Sequence, residues 1–137
     1  MLHITSFFAG IFAFQFILLS VHVMRYRRKY RIPLGPGNKE LSRRIRAHGN
    51  FAEYVPFALL LLGICELSGT GELTMAALGL LLLVARLSHA YGVLVMEPKR
   101  PMKMRSYRMR ALGMTLTWAV IGVAGLIAIF GPLNLPL

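Results

Sequence analysis

The strongest constraint on the fold of this chain is a nearly uncharged run of about 21 residues, from Ile4 to Met24. At ~1.5 Å per helical residue, such a run can cross a hydrocarbon core of ~30 Å. A cleaved signal peptide is the alternative, but no Lys or Arg precedes the run, and the basic residues follow it from Arg25 onwards. The sequence therefore predicts a first transmembrane helix.

Three further apolar stretches follow the first, separated by turn-rich or proline-containing segments. Those segments are 33–38, 68–71 and 97–101, and the last of them is expected to stop a helix. We predict an all-α integral membrane four-helix bundle, formed by one domain over residues 1–137. The predicted spans cover about residues 4–24, 43–66, 73–96 and 108–130.

The charges indicate how these helices are oriented. The chain is 56% hydrophobic and yet holds 16 Lys plus Arg against 5 Asp plus Glu, a net charge of +11. Nine basic residues lie between Arg25 and Arg46, six lie between Lys99 and Arg110, and Arg86 stands alone. The positive-inside rule predicts that these two basic loops are cytoplasmic and that both termini lie outside.

The same basicity limits the partners. Membrane lipids are expected partners, since basic residues at a membrane surface attract anionic headgroups. Nucleic-acid binding is not predicted, because no soluble domain remains to carry it. The single cysteine, Cys65, excludes an intrachain disulfide, and no metal site is predicted because His and Cys residues lack ligand spacing.

A polar stripe enters the membrane on the second predicted helix. At 100° per residue, Arg43, Arg46, Asn50 and Glu53 fall within about one quarter of the helix circumference. From Arg46 to Glu53 the helix rises ~10 Å, so the stripe would penetrate the bilayer from the cytoplasmic side. Polar side chains at that depth must face protein or water. The stripe is interpreted as a cavity wall, with hydrogen bonding between helices as the alternative.

The third predicted helix carries Arg86 and His89 on one face. Arg86 is expected at a depth similar to that of Glu53, and an ion pair between them would allow both charges to be buried. His89 could line the same cavity or could be a packed, hydrogen-bonded side chain. The fourth helix opens with a dense basic segment, Arg105 to Arg110, and clustered guanidinium groups stabilise a nearby thiolate. These walls would suit a small anionic, peptide-like molecule that reacts with an apolar partner.

The segment from Arg43 to Pro56, RRIRAHGNFAEYVP, resembles the signature of the MAPEG family, the membrane-associated proteins in eicosanoid and glutathione metabolism. Arg27-Arg28 before Pro33 and the segment from Ala85 to His89 resemble further motifs of that family. The resemblance covers nearly the whole chain. It implies a homotrimer of four-helix subunits that bind glutathione between neighbours near the cytoplasmic surface.

The resemblance also implies roles for individual residues. The arginine that activates the thiol would be Arg110, or as second choice Arg105. The residues expected to bind glutathione are Arg28, Arg43, Arg46, Asn50, Glu53, Tyr54, His89 and Arg108.

The predicted function is a membrane-bound glutathione transferase or peroxidase that acts on a hydrophobic electrophile or lipid hydroperoxide. A non-enzymatic lipid-binding or scaffold protein of the same fold is the alternative. A channel would need polar rows on several helices, and only one such stripe is found.

Overall fold

The computed structural model describes the backbone of residues 1–97 and 104–131. It describes their side chains as well, except those of residues 104–106. These residues form helices connected by short loops, with no strand among them, so the all-α prediction is confirmed. A π-helical turn, Gly92–Met96, continues the third helix. The helices are α1 (His3–Tyr30), α2 (Lys39–Leu67), α3 (Glu72–Tyr91) and α4 (Met104–Phe130).

Four helical segments in the described chain are long and apolar enough to cross a membrane. Their outer surfaces carry large apolar side chains, such as Phe14 (73% exposed), Leu60 (60%) and Leu126 (57%). A monomeric soluble protein rarely exposes so much apolar surface, whereas a bilayer offers acyl chains to cover it. The candidate spans are His3–Tyr30, Lys39–Leu67, Glu72–Met96 and Tyr107–Phe130.

The loop between α1 and α2 is fixed by side chains that form hydrogen bonds with backbone groups of the loop and of the first turn of α2. α1 ends at Tyr30, and its C-cap residue, Arg31, adopts the left-handed conformation with φ 52°. The guanidinium of Arg27 donates to the carbonyls of Ile32 (3.3 Å) and Gly35 (2.9 Å). Asn38 begins α2 as its N-cap, accepting from the backbone N–H of Leu41 at 3.0 Å. These contacts connect α1 to α2 as neighbours in the bundle.

α3 and α4 approach each other closely at two glycines. A Cβ on Gly113 would lie 2.5 Å from the carbonyl oxygen of Ala85 and 2.6 Å from the backbone nitrogen of His89. A Cβ on Gly92 would lie 2.6 Å from the backbone nitrogen of Arg110. Small residues of this kind let membrane helices pack backbone against backbone. The close approach brings the last turns of α3 beside the first turns of α4, where the basic residues lie.

At the opposite end of the bundle, Glu66 connects the end of α2 to the start of α1. Its carboxylate, near the end of α2, accepts hydrogen bonds from the backbone N–H groups of Ile4 (2.9 Å) and Thr5 (2.7 Å) at the start of α1. Leu2, at the N-cap position of α1, supplies no side-chain cap of its own. Glu66 therefore caps a neighbouring helix, and its negative charge is also favourable beside a helix N-terminus.

We predict that Glu66→Ala lowers the free energy of unfolding in mixed micelles by about 1–2 kcal/mol, because two N–H groups of α1 lose their acceptor. Glu72→Ala is the matched control, since Glu72 is exposed in the first turn of α3. Equal stability of the Glu66 variant and wild type would contradict the capping role.

The orientation of the bundle in the membrane stays a prediction, in which the basic end faces the cytoplasm. A cysteine introduced by Gly37→Cys, in a Cys65→Ala background, should react with an impermeant maleimide only after the cells are opened. Cys65 is buried and is expected to tolerate replacement by alanine. Labelling of the introduced cysteine in intact cells would reverse the predicted topology.

Candidate functional site

A cleft of ≈ 490 Å³ lies at the basic end of the bundle, between α2, the last turns of α3 and the start of α4. The residues that line the cleft include both charged and apolar side chains. They are Ser42, Arg43, Ile45, Arg46, Gly49, Asn50, Glu53, Tyr54, His89, Val93, Glu97, Arg110 and Met114.

One wall of the cleft is the polar stripe of α2. All four predicted stripe residues, Arg43, Arg46, Asn50 and Glu53, line it, and Tyr54 lies beside them. The 3- and 4-residue spacings keep these side chains on one side of a continuous helix. In the single chain Arg46 and Glu53 are exposed and Asn50 is half-buried. A row of cations, an amide and a carboxylate therefore faces one open space.

Arg86 lies beneath this wall and is only 1% exposed. Its Nη2 donates to Oδ1 of Asn50 at 2.8 Å, and its Nη1 donates to Oγ1 of Thr117 at 3.5 Å. The guanidinium also lies 5.6 Å from the ring centre of Phe51. A single buried arginine thus contacts both α2 and α4 from its position on α3.

The prediction of an ion pair between Glu53 and Arg86 is wrong. Arg86 contacts Asn50 and Thr117, and it forms no salt bridge with a carboxylate of the described chain. Asn50 lies on the buried side of the stripe, whereas Glu53 lies on its exposed side. The carboxylate keeps contact with the cleft and avoids the cost of full desolvation.

His89 lies on α3 one turn from Arg86 and lines the cleft while being only 4% exposed. Its Nδ1 is buried and has no hydrogen-bond partner within the described residues. A buried polar atom normally has a partner, so a ligand in the cleft would supply one to Nδ1 only if the imidazole turns towards it.

Arg110 reaches the cleft from the first turns of α4 and forms a salt bridge with Glu97, with 3.1 Å between Nη1 and Oε1. Glu97 is well buried, with 11% of its side chain exposed, whereas that of Arg110 is 49% exposed. Sequence reasoning missed Glu97 because the prolines that follow it predicted a loop. Arg86, His89, Val93 and Glu97 follow one another at spacings of three or four residues along α3 and the π-helical turn. This spacing is the sequence signal that could have indicated a shared helix face.

Two of the predicted site residues, Arg28 and Arg108, do not line this cleft. Arg28 lines a separate depression at the end of α1, beside Met24 and Arg31. Arg108 is exposed on α4 and does not line the cleft. Arg105 belongs to α4, but its side chain falls outside the described residues.

The cleft combines complementary hydrogen-bonding groups with apolar surface. Arg43, Arg46 and Arg110 can donate to carboxylates, and Glu53 can accept from an ammonium or amide group. Ile45, Val93 and Met114 supply the apolar part of the lining. The arrangement suits a ligand that carries both negative and positive groups and that meets an apolar molecule.

Comparisons with known proteins agree with this architecture. The model of the MAPEG family matches residues 5–130. Inner membrane protein YecN of Escherichia coli K12 is 33% identical over 119 residues, which cover 86% of this chain and 84% of that protein. The protein of the same name from Escherichia coli O6:H1 gives the same identity and coverage. With four candidate membrane spans and a family match over nearly its whole length, the chain is a membrane protein that belongs to the MAPEG family.

Proposed function

We propose that this protein is a membrane-bound glutathione transferase or peroxidase. The observation that carries the proposal is the convergence of Arg46, Asn50, Glu53, His89 and Arg110 on one cleft at the basic end of the bundle. The MAPEG family includes glutathione transferases, and this set of side chains fits the chemistry of that tripeptide.

The cleft side chains have distinct roles in binding. Arg43 and Arg46 bind the carboxylates of glutathione, since guanidinium groups donate paired hydrogen bonds to planar anions. Glu53 accepts from the ammonium group. His89 turns its imidazole towards the peptide, so that Nδ1, buried and unpartnered in the single chain, accepts from an amide N–H. The apolar partner, a hydrophobic electrophile or a lipid hydroperoxide, enters from the bilayer.

Arg110 stabilises the glutathione thiolate. An apolar, partly desolvated site raises the pKa of a thiol, so a nearby cation must more than offset that effect at neutral pH. The thiolate then forms a C–S bond as it displaces a leaving group, such as a halide ion, from an electrophilic carbon. In the peroxidase reaction, two glutathione molecules reduce a hydroperoxide to an alcohol and water with formation of a disulfide. Glu97 shares Arg110 with the thiolate and reduces the positive charge available to it.

The functional unit is a homotrimer with the cleft facing the cytoplasm and both termini outside. Arg28 lies away from the cleft of its own chain, at the end of α1. A neighbouring copy packed against α2 and α4 would bring its own Arg28 towards that cleft and would cover part of its open side. Arg108, which is exposed, would face the same boundary.

We predict that Arg46→Ala weakens glutathione binding by ~1.5–3 kcal/mol, the range for a hydrogen bond to a charged group. Isothermal calorimetry on the detergent-purified protein measures this change. Arg44→Ala is the matched control, because Arg44 lies on the same helix, pairs with Glu40 at 2.8 Å and does not line the cleft. Unchanged affinity in the Arg46 variant would exclude the stripe as the binding site.

We also predict that Arg110→Ala returns the pKa of bound glutathione towards the ordinary thiol value of ~8.5. Thiolate absorbance near 240 nm, titrated against pH at saturating glutathione, reports the pKa directly. Glu97→Gln should shift it in the opposite direction, below the wild-type value, because the competing carboxylate is removed.

The same titration distinguishes the alternatives. Loss of the thiolate in Arg105→Ala and its retention in Arg110→Ala would assign the role to Arg105. If wild type binds glutathione but forms no thiolate below pH ~8.5, the protein is a non-enzymatic binding protein of the same fold.

A further inference from the structure

We propose that Arg86 is a positioning residue that holds the side-chain amide of Asn50 with its NH2 group towards the cleft. The cleft then recognises a hydrogen-bond acceptor, a carboxylate or peptide carbonyl, at that point. This inference rests on the proposed function only in taking glutathione as the ligand.

The orientation of Asn50 follows from what its neighbour can donate. A guanidinium carries only N–H donors, so the Asn50 atom that lies 2.8 Å from Nη2 of Arg86 must be the amide oxygen. The amide NH2 group therefore points elsewhere. It donates to no described residue and is not among the buried unsatisfied groups, while Asn50 itself lines the cleft. Two N–H donors are thus presented to whatever occupies the cleft.

Arg86 is itself held by contacts with α2 and α4, although its buried Nε has no partner among the described residues. The hydroxyl of Thr117 donates to the carbonyl of Gly113 at 2.7 Å, which leaves its oxygen lone pairs to accept from Arg86. The Phe51 ring lies beside the guanidinium at 5.6 Å. At 1% exposure Arg86 does not line the cleft, so it acts on a ligand through Asn50.

Two simpler roles would give different results. If Arg86 only joined the helices, its loss would lower stability without a specific effect on affinity. If it acted only as a distant positive charge, any neutral replacement would weaken binding equally. A positioning role instead depends on a donor at residue 86, and glutamine can supply one without charge.

The experiment compares four variants of the detergent-purified full chain by glutathione calorimetry and by thermal unfolding. Arg86→Leu removes all donors, whereas Arg86→Gln keeps an amide donor. Asn50→Asp keeps an acceptor for Arg86 but replaces the NH2 donor by a carboxylate oxygen. Leu82→Ala is the control, because Leu82 is fully buried one turn along α3 and does not line the cleft.

Arg86→Leu should weaken glutathione binding about tenfold, and Arg86→Gln should restore it to within about threefold of wild type. Asn50→Asp should weaken binding at least about tenfold while its unfolding temperature stays at or above that of wild type, because the new carboxylate pairs with Arg86. Leu82→Ala should unfold at a lower temperature with unchanged affinity.

Wild-type affinity in Arg86→Leu would overturn the inference, as would equal weakening in Arg86→Leu and Arg86→Gln. Wild-type affinity in Asn50→Asp would overturn it independently, and that variant does not depend on removal of the buried arginine. In each of these cases wild type still binds glutathione, so the proposed function stands. Absence of glutathione binding by wild type would instead refute the proposed function and this inference together.

Discussion

The structure depends on how a buried guanidinium is accommodated inside a membrane bundle. Arg86 is 1% exposed, and its partners are the neutral oxygens of Asn50 and Thr117 rather than a carboxylate. Removing a charge from water is costly, so each hydrogen bond to the guanidinium constrains its neighbours. Because one partner lies on α2 and the other on α4, three helices must keep their relative rotation for Arg86 to keep both hydrogen bonds. The close packing of α3 against α4 at Gly113 helps to keep these two helices in that relative rotation.

That arrangement also determines the electrostatic character of the cleft. Arg86 brings a positive charge, with no carboxylate partner in the part of the chain that the structure describes, to a position directly behind Asn50. Of the other cations, Arg43 is paired with Glu40 and Arg110 with Glu97, whereas Arg46 forms no salt bridge within the described chain. A buried charge is screened much less than a surface charge. The combined field therefore favours anionic groups in the cleft.

Much of this organisation could be predicted from the sequence, because it follows from length and periodicity. Apolar length predicted the four helices, and 3.6-residue spacing predicted that the α2 stripe shares one face. The partner of Arg86 could not be predicted in this way, since sequence gives depth along a helix but not its rotation against a neighbour. Asn50 and Glu53 differ by only ~60° around α2, and that rotation decides which of them meets Arg86. Glu97 was missed because the π-helical turn extends the helix to the residue before Pro98.

The pairing of Glu97 with Arg110 limits how strongly the cleft can stabilise a thiolate. A guanidinium has five N–H donors, and the salt bridge uses one of them, so Arg110 can bind a second anion without losing the first. The carboxylate nevertheless offsets part of the positive potential at the sulfur. Arg86, behind Asn50, adds positive potential and forms no salt bridge within the described residues. Thiolate formation therefore depends on two arginines: the half-exposed Arg110, which Glu97 holds, and the buried Arg86, which is held by its contacts with α2 and α4.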